Sequence, residues 1–168
     1  MYPQLLTNFV AFADGKGYVG RVPELTLPKM TSKMLEYLAG GMSAAVEIDT
    51  GINEKMETTF TLAEYNAAVL SLWGILAGAD TQFTFRGSVQ AQGADAQAVV
   101  ATVAGRIKEL DPGTWKPNEQ IALKVAIATT YFKLNIAGID VLEIDPVNMV
   151  RIVGGVDQLA SQRTALGI

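Results

Sequence analysis

Glu143 and Asp145 stand two residues apart in the run Val141-Leu142-Glu143-Ile144-Asp145, so on an extended strand both carboxylates point to one face. Paired carboxylates are the minimum equipment for glycoside hydrolysis, in which retaining enzymes hold the two groups about 5 Å apart and inverting enzymes hold them further. Nothing else in the chain extends that chemistry. With no histidine and no cysteine, imidazole acid–base work, thiolate attack, disulfides and the usual zinc sites are excluded. No Ser, Thr or Lys lies in a nucleophile motif. Gly40-Gly41 and Gly154-Gly155 have neither the lysine of a phosphate-cradling loop nor the context of a dinucleotide site. Carboxylates at strand ends commonly accept turn N–H groups or sit in water. The sequence therefore reads as that of a non-enzyme, with no catalytic, cofactor or metal site.

The element that carries Glu143 and Asp145 is the second arm of a hairpin. Its first arm is a long strand predicted from Glu119 to Ile136, which reverses at Ala137-Gly138 into a partner from Ile139 to Ile144. The odd positions, Ile121, Leu123, Val125, Ile127, Thr129 and Tyr131, form a bulky, largely β-branched face; the even positions, Ala122, Lys124, Ala126, Ala128 and Thr130, form a face of mostly small side chains. A straight strand of that length spans roughly 55 Å at about 3.3 Å per residue, whereas a compact chain of this size is only about 40 Å across. Either the strand is sharply coiled, or part of its edge is completed by another copy, because long apolar edges are closed or covered in soluble proteins.

The 168 residues suit one domain, 1–168, with a substantial core. Hydrophobic residues are 49% and charged residues only 18%, a thin polar coat that implies apolar surface intended for a partner. Thirteen Lys and Arg against 17 Asp and Glu leave a net charge of −4, the wrong sign for holding a phosphate backbone tightly. No apolar run approaches the length of a membrane span, and the start MYPQLLTNF lacks the pattern of a signal peptide; the chain reads as soluble and cytoplasmically made, with no stable membrane insertion.

Along the chain, Leu6–Ala13 and Tyr18–Leu27 read as strands around the turn Asp14-Gly15-Lys16-Gly17, with Pro23 at an edge or bulge. Lys29–Leu38 reads as a helical turn or an extended arm. Val46–Asp49 and Met56–Leu62 read as strands with a turn at Thr50-Gly51-Ile52-Asn53, and Glu47 and Asp49 share a face. Thr61-x-x-Glu64 is a capping box, predicting a helix that carries Tyr65, Val69, Leu72 and Leu76 on one side, with Trp73 as a core anchor and Gly78 as its stop. Strands follow at Gln82–Ala91, Ala98–Glu109 and Met149–Val153, then a terminal helix at Val156–Ala165. Trp115 beside a turn reads either as an exposed contact or as a lid on the core. The fold class is mainly β: antiparallel packed sheets or an open barrel segment, with one central and one short C-terminal helix.

Several stretches, in order, resemble the inner tube protein of contractile phage tails and R-type pyocins: Leu25-Thr26-Leu27-Pro28-Lys29, Tyr37–Met42, Phe85-Arg86-Gly87-Ser88, Lys108–Glu119, Tyr131-Phe132-Lys133-Leu134, Glu143–Asn148 and Gly154–Gln158. The resemblance thins over 63–79 and 93–98. It implies hexameric rings whose sheets join into one continuous β-barrel around a channel, and rings stacked into a tube inside a contractile sheath, with tape-measure and baseplate proteins as further partners. In phages the channel conducts DNA without binding it; in pyocins the tube carries none and depolarises the target membrane. On this resemblance Leu38, Gly40, Gly41 and Met42 belong to a ring-stacking loop. Leu123, Val125, Ile127 and Tyr131 belong to an inter-subunit barrel strand, and Glu47, Asp49 and Glu57 are candidate lumen-facing charges. The expected place is the tail tube of a virion assembled in the bacterial cytoplasm. A type VI secretion tube fits the same architecture, and a monomeric ligand-binding β-barrel is the reading of a different class.

Overall fold

Strand β9, Leu123–Ile136, is the axis of the computed structural model, which describes residues 2–18 and 20–168. One edge of β9 pairs along its length with β8, Gln97–Asp111. The other edge changes partner midway: residues 123–129 pair with β6, Met56–Leu62, and residues 132–136 pair with β10, Ile139–Asp145. The remaining strands extend from these. β7, Thr81–Ala91, joins β8, and β1, Gln4–Ala13, joins β7. Beyond β1 lies β2, Lys16–Gly17. β3, Glu24–Thr26, joins β6, while β11, Val150–Val153, and β12, Val156–Asp157, extend β10. All these pairs are antiparallel, as expected. A separate two-stranded sheet is formed by β4, Ser32–Tyr37, and β5, Val46–Asn53.

The curled sheet closes on a core in which Phe60 of β6 faces Phe83 and Phe85 of β7 at ring-centroid distances of 6.0 and 5.9 Å. Leu62, Val69, Val103, Leu123, Val125 and Ile127 complete it. The buried hydroxyls of Thr58 and Thr129 bond each other at 2.8 Å, so neither is left unpaired in an apolar surrounding. Truncating Phe83→Ala removes a fully buried ring and is expected to cost about 3–5 kcal/mol, read as a fall in the urea midpoint at unchanged slope.

Two bulges change the faces of the long strands. Ala104 and Gly105 of β8 pair with Tyr131 and Thr129, so Thr130 is an extra residue in β9; likewise Lys108 is extra in β8, between Ile107 and Glu109. After Thr130 the buried set passes from odd to even positions: Leu123, Val125, Ile127 and Thr129 point inward, then Phe132 does. Tyr131 is therefore on the opposite face from Leu123, Val125, Ile127 and Thr129, with which simple alternation groups it. Thr130, re-aimed by the bulge, donates to the Asp80 carboxylate, which also receives Arg106 Nε at 3.1 Å. The same guanidinium donates to the carbonyls of Leu76 and Gly78, tying down the loop before β7. The hydroxyl of Thr130 and then Arg106 hold the Asp80 carboxyl below its ordinary value of 3.8. Its contribution is complete above that value and is lost as pH falls below it through the lower folded-state value. Amide exchange in 71–80 is expected to quicken on acidification below pH ~4, and Asp80→Asn to remove that dependence.

Other elements differ from the reading of the sequence. The long strand starts at Leu123, because 119–122 lie outside it after the turn near Asn118. The first hairpin turns at Asp14 and Gly15, both with positive φ, but its return strand is β2 alone; β3 pairs with β6. Val19 lies outside the described residues. Thr61 belongs to β6, so the capping box is not formed. Asn66 caps instead, accepting from the N–H groups of Ala68 and Val69, and the helix α1 is only Ala67–Leu70. Gly74 and Gly78 at positive φ end any continuation. Val69 enters the core as expected, but Trp73 is half-exposed and Leu76 is 90% exposed. Trp115 is the exposed contact, resting on Tyr65 and donating to its hydroxyl at 2.6 Å. The terminal helix, α2, is Ala160–Leu166, with Val156 and Asp157 in a strand.

Candidate assembly surface

The segment from Ser32 to Asn53, read from sequence as an arm followed by a separate strand, forms a single projecting hairpin. Leu35 stands opposite Ile48 and Tyr37 opposite Val46, so one face carries two apolar cross-strand pairs, all of them exposed. The other face carries Met34 against Asp49 and Glu36 against Glu47. Two carboxylates directly opposite repel, and neither Glu36 nor Glu47 has a basic partner within ion-pair distance among the described residues. The tip runs through Leu38, 63% exposed, Gly40, Gly41 at φ +88° and Met42, whose sulfur accepts the Ala39 N–H. An isolated two-stranded hairpin is marginal in water. This one presents to solvent the kind of surface that proteins ordinarily cover.

The predicted charged set is divided. Glu47 and Asp49 lie on the hairpin, where Asp49 accepts the Gly51 N–H at 2.8 Å and sits 3.5 Å from Arg151. Glu57 lies on β6 and is ion-paired with Lys108 of β8. Leu123, Val125 and Ile127 are buried in the chain's own core, and both edges of β9 are satisfied within one molecule. The expectation that β9 itself is completed by a neighbour thus gives way. A long open edge belongs to β1: β7 covers one side, whereas on the other β2 pairs only with Phe12 and Ala13, and Tyr18 donates to Ala11. Nothing in the sequence distinguished these strands, since both alternate equally well.

A third surface is the uncovered face of the main sheet. On β7, Gln82, Thr84, Arg86 and Ser88 alternate with the core residues, and on β8 Thr102 and Ala104 do the same. On the same face Lys133 pairs with Asp140 at 3.0 Å, and Tyr131 donates to Glu143 at 2.9 Å. Burial and then the Glu143 carboxylate push the Tyr131 hydroxyl up to about 12, so it stays protonated and donating. Asp145 accepts from the backbone and side-chain nitrogens of Asn148, closing the turn after β10. The two carboxylates are thus both engaged structurally.

A family profile described as phage tail tube protein FII matches residues 3–167. The chain belongs to that family. It is a tail tube protein, the inner-tube subunit of a contractile tail and so a virion tail component. The tail tube protein of Escherichia phage P2 is 32% identical over 171 residues, spanning 99% of this chain and 98% of that one. The major tail tube protein of Serratia phage KSP20 is 30% identical over 148 residues, covering 88% and 86%. Among solved structures, a chain of the sheath–tube complex of an extracellular contractile injection system, PVC, superposes with TM-score 0.63 at 9% identity, over 80% of this tail tube protein and 92% of that chain. A chain of the same system's sheath/tube terminator gives 0.62 at 10% identity, over 80% and 98%. These likenesses establish a shared fold for the tube protein, and the family is one of structural tail components.

Proposed function

We propose that copies of this tail tube protein close into hexameric rings, with the main sheet continuing from copy to copy across the open edge of β1, and that rings stack through the β4–β5 hairpin into a hollow tube. The observation that carries this reading is the hairpin itself: an apolar face and an apolar tip held out in water, with no covering element among the described residues. Stacking through a hairpin on one end of a subunit is a head-to-tail contact that does not close, and so it makes filaments. β6, hydrogen-bonded to β9, curls over the core face of β7, where Phe60 meets Phe83 and Phe85. With that covered face at the larger radius, the face of Gln82, Thr84, Arg86, Ser88 and Thr102 is left for the bore. Arg86 apart, that wall is polar and offers a passing polyanion few cations for attachment. DNA transit in a phage tail fits that wall. A sheath outside, a tape-measure protein inside and a baseplate at one end complete the apparatus, assembled in the bacterial cytoplasm and without catalysis of its own.

A monomeric ligand-binding barrel requires an enclosed interior, and here the interior is filled by Phe60, Phe83, Phe85 and their neighbours. Negative-stain microscopy of the concentrated protein, paired with light scattering against concentration, tests the proposal. Rings or hollow rods are expected; a monomer at every concentration overturns it.

A further inference from the structure

The hairpin's attachment to the body is narrow. Among the described residues its two strands pair with each other and with no other strand. From the body, Arg151 of β11 reaches across: Nη2 donates to Ser32 Oγ at 2.8 Å and lies 3.5 Å from Asp49 Oδ2, touching both hairpin strands at their base. Beside it, a Cβ placed on Gly51 would meet Gln162 Nε2 at 3.1 Å and Leu159 Cδ2 at 3.6 Å, so the start of α2 closes against the same turn of β5. That segment is itself fixed. Arg163 donates to the Met149 carbonyl at 2.7 Å and pairs with Asp157, Gln158 N–H bonds the Arg151 carbonyl, and Leu159 is buried. Residues 149–163 thus form a frame that holds one guanidinium against the foot of the hairpin.

We infer that Arg151, seated in this C-terminal frame, is a positioning residue that sets the angle at which the hairpin is presented to a second copy of the chain. The inference rests on the reading of the hairpin as the contact between copies. Its physical basis is preorganisation: a surface already held in its docking orientation does not lose that freedom on association, whereas a swinging hairpin does. Arg151 suits the task because its planar guanidinium fixes where the one nitrogen that faces both strands stands, whereas a lysine ammonium on a flexible stem is not so fixed. Its side chain is only 20% exposed, so solvent does not compete freely for it.

The test uses the full chain. Arg151→Gln is expected to fold with the wild-type circular dichroism spectrum, to show faster amide exchange confined to 32–53, and to need about tenfold more protein for half-assembly. Arg151→Lys, which keeps a cation near Asp49, recovers part of that shift. Asp49→Asn with Ser32→Ala removes the same attachment from the hairpin side, and adding Arg151→Gln to that pair is expected to change little further. If Ile48→Asp, on the hairpin's apolar face, leaves assembly untouched, the underlying reading of the hairpin fails. If Ile48→Asp blocks assembly while Arg151→Gln assembles at the wild-type concentration, or loses assembly with hairpin exchange unchanged, the positioning role is overturned. Should Arg151→Gln not fold, the Ser32→Ala, Asp49→Asn chain decides by the same two readouts.

Discussion

Leu38→Asp and Ile48→Asp chains are each expected to purify as folded monomers that form no tubes at concentrations where the wild-type chain polymerises fully. Both positions are exposed on the hairpin, so the folded monomer loses almost nothing; surface substitutions of this kind usually fall within about 0.5 kcal/mol. Assembly is another matter. In a stacked tube the carboxylate of either variant would enter an apolar contact without a counter-charge, and an unpaired charge buried at an interface typically costs about 3–5 kcal/mol. That is a rise of at least about a hundredfold in the protein concentration needed. Sedimentation velocity across a concentration series, with circular dichroism to verify the fold, reads both halves of the result. Tubes from either variant at the wild-type concentration would remove that residue from the stacking contact.

The largest effect on the fold itself is expected from Gly105→Val. Gly105 stands in β8 beside the bulge at Thr130, where β9 crowds its partner. A Cβ there would lie 2.2 Å from the Ala128 carbonyl oxygen and 3.0 Å from both its carbon and Ile127 Cγ2. The clash is with backbone, so no rotamer change relieves it, and the central pair β8–β9 must shift. Overpacking of this kind typically costs about 1–3 kcal/mol where side chains can yield, and more where they cannot. Against a total stability of roughly 5–15 kcal/mol, a loss of about 4 kcal/mol leaves the chain poorly soluble at physiological temperature. Gly105→Ala, with the same Cβ and nothing beyond it, is expected to lose nearly as much; a urea midpoint within experimental error of wild type would show that β8 can move aside.

How far the sequence discloses this structure depends on whether a feature is local. The alternation of β7 and β8 and the turns at Asp14-Gly15 and Ala137-Gly138 are written in adjacent residues and stand where the sequence places them. The bulges at Thr130 and Lys108 are not, because an extra residue exists only relative to a partner strand. That is why Tyr131 was placed on the wrong face. The central helix was overestimated because its apolar spacing continues past Gly74, whereas the backbone there takes a positive φ. Length singles out β9 as the strand to be completed by a neighbour, although length says nothing about which strands end the sheet. Arg151 gave no signal at all, since its partners Ser32 and Asp49 lie about a hundred residues away.

The exchange of β6 for β10 along one edge of β9 has a consequence for biosynthesis. β6 is made well before the strand it pairs with, as Thr58 and Thr129 are 71 positions apart, and β1 likewise waits for β7. Before β7 is made, the longest pairing that adjacent strands can complete is the hairpin of β4 and β5, since β1 and β2 share only Phe12 with Gly17 and Ala13 with Lys16. The nascent chain therefore displays its sticky protrusion before it owns a body. Such long-range connectivity also slows the closing step to the millisecond-to-second range. A cell filling with these chains has to keep them apart until each one has finished translation.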